Sequence, residues 1–418
     1  MRILFTVHKY PPESLGGTEI YTVTLARALH AVGHRVTVFY PSPAVERVTI
    51  SLGEDGVTLW QVPLPVTRQR EDPIRQFWHT FRDQAMEAAF VDCLRETQPD
   101  IVHFQHVQGV SARLIALAAD YPRVATLHDY WYFCANSQLI RPDQQPCLGP
   151  SWGNWNCVDC ATARADLQRL RVARPLVALP FAARNRYLRR LSAAIDHFIA
   201  PSHFLRQQYV AQGWPADKIT VLENGMDRRR LRNAQCPTLP APATRPHFGF
   251  LGSLAWQKGV HVLIEAFNQL PATASLTIYG SDQAFPAYGA QLRALATHPH
   301  IRFTGAVSYE NVGAALRQLD ALVVPSLWYE NSPLVIQEAY VMGVPVLASK
   351  LGALPEKVRD GATGYLFPAG DSSALAALLQ RCIDEPLLLT NLRPNIVPPP
   401  TVEEHTAEIG ALYGTLGR

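Results

Sequence analysis

Residues 321–349 read ALVVPSLWYENSPLVIQEAYVMGVPVLAS. Two apolar runs of strand length, ALVVPS (321–326) and VPVLAS (344–349), bound a segment of helical character, which predicts a βαβ unit with parallel strands. The strand ends at Pro325 and the helix is expected from Pro333, with Ser332 as its N-cap and the proline at the first helical position. The N–H groups of Leu334 and Val335, at the positive end of the helix dipole, then form an anion site suited to a diphosphate, with Asn331 and Ser332 in the approach loop. Glu330 precedes this helix and Glu338 lies about one and a half turns inside it, so the carboxylates are roughly 10 Å apart. Carboxylates accept charge-assisted hydrogen bonds from vicinal diols, so one suits a sugar and the other a ribose.

The same alternation runs through the rest of the chain. RILFTVH (2–8), RVTVFYP (35–41), DIVHFQH (100–106), RVATLHD (123–129) and HFIAPS (197–202) are strands of a first doubly wound domain, residues 1–236. The Pro-rich segment at 237–246 reads as a hinge linker. HFGFLGS (247–253), LTIYGS (276–281) and IRFTGAV (301–307) join the opening unit in a second domain, 247–396, and residues 397–418 end in a helix that is expected to return to the first domain. Ligands of such sheets bind beyond the carboxyl ends of the strands, so two facing sheets would share one cleft.

Composition excludes several functions. A length of 418 residues with 48% hydrophobic content calls for two cores, and a net charge of +3 is too slight for a protein that reads nucleic-acid phosphates. No apolar run reaches the roughly 18 to 20 residues of a membrane span, and Met1–Val7 reads as a buried strand rather than a signal peptide, so a cytoplasmic protein is expected. No G-x-G-x-x-G, no Gly-Lys pair of a P-loop and no H-E-x-x-H occurs, which removes dinucleotide oxidoreductases, P-loop triphosphatases and zinc hydrolases.

Other candidates follow strands. Lys258, in the loop after Gly252 and Ser253, is placed to neutralise a diphosphate as a point charge. Gly16 and Gly17 form the first strand-to-helix turn, where backbone N–H groups can approach a phosphate or an acceptor. His128 and Asp129 end a strand, and His103, His106 and Gln108 follow the preceding one as acceptor-pocket candidates. Cys134, Cys147, Cys157 and Cys160 lie in an insertion (about 130–196) with C-x12-C-x9-C-x2-C spacing; a structural zinc ion is expected, with an iron–sulfur cluster, disulfides or free thiols as alternatives. Residues 161–200 hold eight arginines (164, 169, 171, 174, 184, 186, 189 and 190) against two aspartates around LVALPFAA, the pattern of a segment that lies on an anionic membrane surface.

With E-x7-E quoted as ENSPLVIQE (330–338), the chain resembles glycosyltransferase family 4. GGTE (16–19), LHD (127–129), APSHF (200–204), VLENGMD (221–227), GSLAWQKGVHVLIEAF (252–267), LGALPE (351–356) and DGATGYLF (360–367) extend the resemblance over nearly the whole chain. It implies a GT-B fold and a nucleotide-diphosphate sugar donor, UDP- or GDP-linked, held by the C-terminal domain. It also implies a glycan or lipid-linked acceptor, no catalytic metal, and retention of anomeric configuration. By resemblance Glu330 meets the donor sugar, Glu338 the ribose, Lys258 the diphosphate and His128 the reacting end of the sugar. Ser253 stands where many members carry an arginine. A sugar-nucleotide epimerase of the same fold and a silent nucleotide-sugar subunit are the competing readings.

Overall fold

The computed structural model describes residues 1–14, 16–64, 73–235 and 246–416. Apart from Pro246, the expected hinge segment 237–246 lies outside the described residues.

The first unit comprises Met1–Asp143, Cys147–Gly225 and Val402–Arg418. Its strands are β1 (Arg2–Thr6), β2 (Arg35–Ser42), β3 (Thr49–Leu52), β4 (Thr58–Pro63), β5 (Ile101–Phe104), β6 (Arg123–Thr126), β7 (His197–Ala200) and β8 (Ile219–Val221). They lie in the order β3-β4-β2-β1-β5-β6-β7-β8, parallel except for β3 on β4. Because the chain winds from β1 out to β4 and then resumes at β5, the order reverses between β1 and β5. The loops that leave those two strands therefore diverge and open a crevice. The closing helix, Val402–Leu416, packs on this unit: His405 Nε2 is 2.9 Å from the Tyr21 hydroxyl, and the Tyr413 hydroxyl 2.6 Å from His103 Nδ1.

The second unit comprises Gln144–Pro146 and Met226–Thr401. Its strands, β9 (His247–Leu251), β10 (Ser275–Tyr279), β11 (Ile301–Gly305), β12 (Ala321–Val324), β13 (Val346–Ser349) and β14 (Gly364–Phe367), run parallel in the order β11-β10-β9-β12-β13-β14. β12 shows why a near-continuous apolar run suits such a sheet. Ala321 and Val323 face one core with Phe248 and Leu263, while Leu322 and Val324 face another with Ile336 and Ala339. Here the order reverses between β9 and β12, the strands that precede Lys258 and Glu330.

One expectation about organisation needs revision. The boundary falls at Gly225/Met226 rather than at 236, because the helix Arg228–Asn233 buries Leu231 with Met226 and Val341. It presses so closely on Val312–Arg317 that a Cβ at Gly313 would overlap the Leu231 carbonyl. Within the cysteine-bearing insertion, helices Trp155–Arg164 and Arg174–Ser192 pack through Val158, Ala178 and Phe181.

Candidate functional site

At the reversal point of the second unit, two loops are held together by backbone contact. The Leu327 N–H donates to the Gln257 carbonyl at 2.8 Å, and Gly259, at φ 69°, lies where a Cβ would overlap the Pro325 carbonyl oxygen. Only glycine combines that left-handed conformation with so close an approach. The result is that Lys258 Nζ reaches Glu330 Oε1 at 2.7 Å. Ser326 Oγ and Trp328 Nε1 donate to the same oxygen, each at 2.8 Å, so three donors hold one face of a buried carboxylate. The Trp328 ring lies 5.2 Å from Lys258 Nζ, a cation–π contact. Behind Glu330, Gly352 at φ 61° lies where a Cβ would crowd the Tyr329 and Glu330 backbone, and the Ala353 N–H donates to the Glu330 carbonyl at 3.0 Å.

The helix after this loop is Leu334–Val341, preceded by Pro333 with extended ψ and no side-chain cap. It therefore starts one residue later than expected, and Ser332 does not cap it. Ser332 Oγ is buried without a hydrogen-bond partner among the described residues, while Leu334 and Val335 head the helix as expected. Glu338 is buried on this helix and paired with Arg230 at 3.0 Å. Arg230 also donates to the Tyr309 carbonyl and lies 3.5 Å from the centre of the Tyr309 ring. Burial raises the Glu338 carboxyl above the ordinary carboxylate range, and the attraction of Arg230 opposes that rise. Gly252, at φ 153°, shapes the exit from β9, and Ser253 beside it is exposed.

In the first unit, loops from β1, β5 and β6 gather His8, Gln105, His106, His128 and Asp129. Gln105, His106, Thr126, His128, Asp129 and Trp131 line a small cavity there. The Gln108 N–H donates to His106 Nδ1 at 3.0 Å, which leaves Nε2–H to donate to Asp129 Oδ2 at 2.9 Å. Asp129 Oδ1 accepts the Trp131 N–H at 2.8 Å, so both carboxylate oxygens are anchored. His128 Nε2 is 3.0 Å from Gln105 Oε1. Burial, reinforced by neighbouring His106, holds the His8 and His128 imidazoles well below their ordinary range, so both are neutral near pH 7. His8 Nδ1 and Gln105 Nε2 are buried without partners among the described residues.

Several expected residues have other roles. His103 belongs to the core: it is fully buried, with Nε2 2.8 Å from Thr126 Oγ1 and Nδ1 on Tyr413. Gln108 is exposed, and its side chain accepts from Ser137 Oγ at 3.0 Å. At the Gly16–Gly17 turn, the buried Glu19 carboxylate folds back so that a Cβ on Gly16 would overlap it, and Ser14 Oγ donates to it at 2.9 Å. A carboxylate already neutralises this helix start, so the turn does not favour a phosphate.

The cysteines form two pairs, each around an asparagine amide. Asn136 has Cys134 Sγ at 2.8 Å and Cys160 Sγ at 3.1 Å, and Asn156 has Cys147 Sγ at 3.5 Å and Cys157 Sγ at 3.6 Å. All four are free thiols, and among the described residues no group of three or more His, Cys, Asp or Glu side chains is placed to hold a metal ion. Burial, and then nearby Cys134, Cys147 and Cys160, push the Cys157 thiol up to about 12, so the four lie in one neighbourhood. Arg184, counted with the membrane-facing arginines, is instead fully buried and donates to the Trp131 carbonyl at 2.6 Å, with Trp131 5.1 Å away.

Sequence reading missed Ser326, Trp328, Arg230 and Tyr309. The first two lie within four residues of Glu330, and donors so near a candidate carboxylate were a usable signal. Arg230 lies 108 residues from its partner and carried none.

Comparison with known proteins places these features in a family. Residues 15–230 match the model for Glycosyltransferase Family 4, and residues 245–385 the model for Glycosyl transferases group 1. The glycogen synthase of Mycobacterium tuberculosis is 28% identical over 417 residues, covering 92% of this chain and 87% of that protein. Among solved structures, Anabaena Alr3699/HepE in complex with UDP-glucose superposes over 100% of both chains with TM-score 0.68 at 19% identity. Sucrose-phosphate synthase from Thermosynechococcus elongatus does so over 99% of this chain and 98% of that one, with TM-score 0.72 at 19% identity.

Proposed function

The chain belongs to glycosyltransferase family 4 and has the GT-B fold, and on that footing we propose that it transfers a sugar from a UDP- or GDP-linked donor to a glycan or lipid-linked hydroxyl, with retention of configuration. The observation that carries the proposal is the Glu330 carboxylate, held on one oxygen by Lys258, Ser326 and Trp328 at the start of the helix Leu334–Val341.

In this reading the donor diphosphate meets the N–H groups of Leu334 and Val335 and the unpartnered Ser332 hydroxyl. Lys258 turns part of its charge from Glu330 to the departing phosphate, where it stabilises the charge that develops as the glycosidic bond breaks. Glu330 keeps its orientation through Ser326 and Trp328 and offers its other oxygen to sugar hydroxyls. Glu338, set by Arg230, binds the ribose diol. His128, neutral, acts as a hydrogen-bonding group toward the sugar, and Asp129 with His106 orients the acceptor hydroxyl. The acceptor oxygen forms its bond to the anomeric carbon on the face from which the phosphate departs, and its proton passes to the phosphate oxygen. Catalysis then rests on placement and on electrostatic stabilisation of the leaving group.

A thermal-shift panel of UDP-glucose, GDP-mannose and ADP-glucose tests the donor assignment, because a ligand that binds only the native state raises its melting temperature. At least one is expected to stabilise the wild type and to lose most of that effect in Glu338→Ala. Stabilisation by none of them, or equal stabilisation in the variant, refutes the donor site. Retention is read from the anomeric configuration of the product by NMR.

A further inference from the structure

We infer that the outward face of the insertion helix Arg174–Ser192, with the apolar side chains beside it, docks on a lipid surface rich in anionic headgroups. This helix buries Ala178, Phe181, Arg184, Leu188 and Leu191 and exposes Leu176, Leu179, Ala182, Ala183, Arg186, Arg189 and Arg190. The exposed set recurs every three to four residues and so forms one stripe, about 21 Å long from Leu176 to Arg190. The stripe is divided along its length, apolar in the first half and basic in the second.

Exposed leucines and tryptophans lie on or close to this helix. Leu176 is 71% exposed and Leu179 62%, which is unusual for leucines in a packed helical insertion. Trp78 is exposed beside Phe77, whose ring lies 5.3 Å from that of Phe181 in the helix. Trp152 is 92% exposed, two residues from Asn154, which hydrogen-bonds to Asn185 of the helix at 2.9 Å. Tryptophan, apolar in body with one polar N–H, is the residue favoured at a membrane–water boundary.

The charge points to one kind of partner. Arg164, Arg169, Arg186, Arg189 and Arg190 are exposed, against exposed Asp166, while Asp159 is already paired with Arg174 at 2.5 Å. A second copy of this chain that met the same face across a twofold axis would set the basic half against the apolar half, or arginine against arginine where the helices run parallel. A nucleic acid would leave the leucines and tryptophans without a partner. An anionic bilayer satisfies both halves, with phosphates on the arginines and acyl chains on the apolar side chains. Arg184 and Arg189 are not part of the attraction to be tested. Arg184 is buried, and Arg189 donates to the Gln212 carbonyl at 2.5 Å and lies 5.2 Å from the Trp214 ring.

The test is sedimentation of the full chain with vesicles of phosphatidylcholine alone and with about one third phosphatidylglycerol, at low and high salt. The wild type is expected to bind the anionic vesicles and to be released by salt. Arg169→Gln/Arg186→Gln/Arg190→Gln should weaken binding roughly fivefold per arginine, about a hundredfold in all. Leu176→Ser/Leu179→Ser should lower binding by at least about tenfold. Both variants change exposed side chains, so circular dichroism and melting temperature are expected to match the wild type. Absence of wild-type binding to anionic vesicles, or undiminished binding by the folded variants, overturns the inference. So does a wild-type dimer in sedimentation equilibrium that the leucine variant dissolves, since the face would then be covered by a second copy. Donor-induced thermal stabilisation in the same samples is independent of these outcomes and keeps the assigned activity separate.

Discussion

Replacing Arg230 with Met should destabilise the second unit in a pH-dependent way. Arg230 and Glu338 have side chains only 13% and 10% exposed and meet at 3.0 Å, so solvent screens the pair little. Methionine keeps much of the packing on the Tyr309 ring but leaves a buried carboxylate without its cation, which costs about 3 to 5 kcal/mol in comparable cases. For a unit of this size each kcal/mol corresponds to about 2 to 4 °C, so the melting temperature should fall by roughly 10 °C at neutral pH. The sign of the pH effect follows from burial, which raises the Glu338 carboxyl above its ordinary value of 4.5 even with Arg230 present. Loss of Arg230 raises it further. A raised carboxyl favours the folded state below the unfolded value and loses that advantage as pH rises through the folded one. The deficit of the variant should therefore be small near about pH 4 and deepen toward neutrality. Calorimetry of the wild type, Arg230→Met, Glu338→Gln and the double variant measures both the deficit and the coupling, expected at about 2 to 3 kcal/mol. A deficit below about 1 kcal/mol, or one that is constant over about pH 4 to 8, would refute the reasoning.

Glu330→Gln keeps the side-chain shape but removes the charge that Lys258 engages; turnover should fall roughly a hundred- to thousandfold with an unchanged fold, and near-wild-type turnover would remove Glu330 from the site. Gly259→Ala forces a side chain into a left-handed position and onto the Pro325 carbonyl, so a loss of about 2 to 4 kcal/mol is expected in urea unfolding, and a neutral result would show that the two loops do not meet as described. The first unit should lose stability in acid, because burial lowers His103 to about 3 and His405 to about 4. Stability from such groups is present above the ordinary histidine value of 6.5 and is lost as pH falls through the folded values. Unfolding should take up roughly four protons between about pH 6 and 4, because buried His8 and His128 of the same unit are held low as well, and a flat pH dependence there would contradict the burial of these imidazoles.

The doubly wound architecture was legible in sequence because both sheets are made of apolar runs alternating with helices, a local pattern set by periodicity. E-x7-E was legible for the same reason, since strand, loop and helix follow one another within residues 321–349. Partners distant along the chain were not: Lys258 reaches Glu330 across 72 residues, and Arg230 reaches Glu338 across 108. Which side chains meet there depends on strand order, which brings β9 beside β12, and on glycines that let backbones touch. Burial decided the remaining roles. His103 and His106 are three residues apart at the end of one strand, yet one is a hydrogen-bonded core residue and the other holds Asp129 at a cavity. Arg184 and Arg186 are two apart on one helix, and rotation about its axis places the first in the core and the second at the surface. Sequence determines that periodicity, but what lies against each face is decided only when elements far apart in the chain pack together.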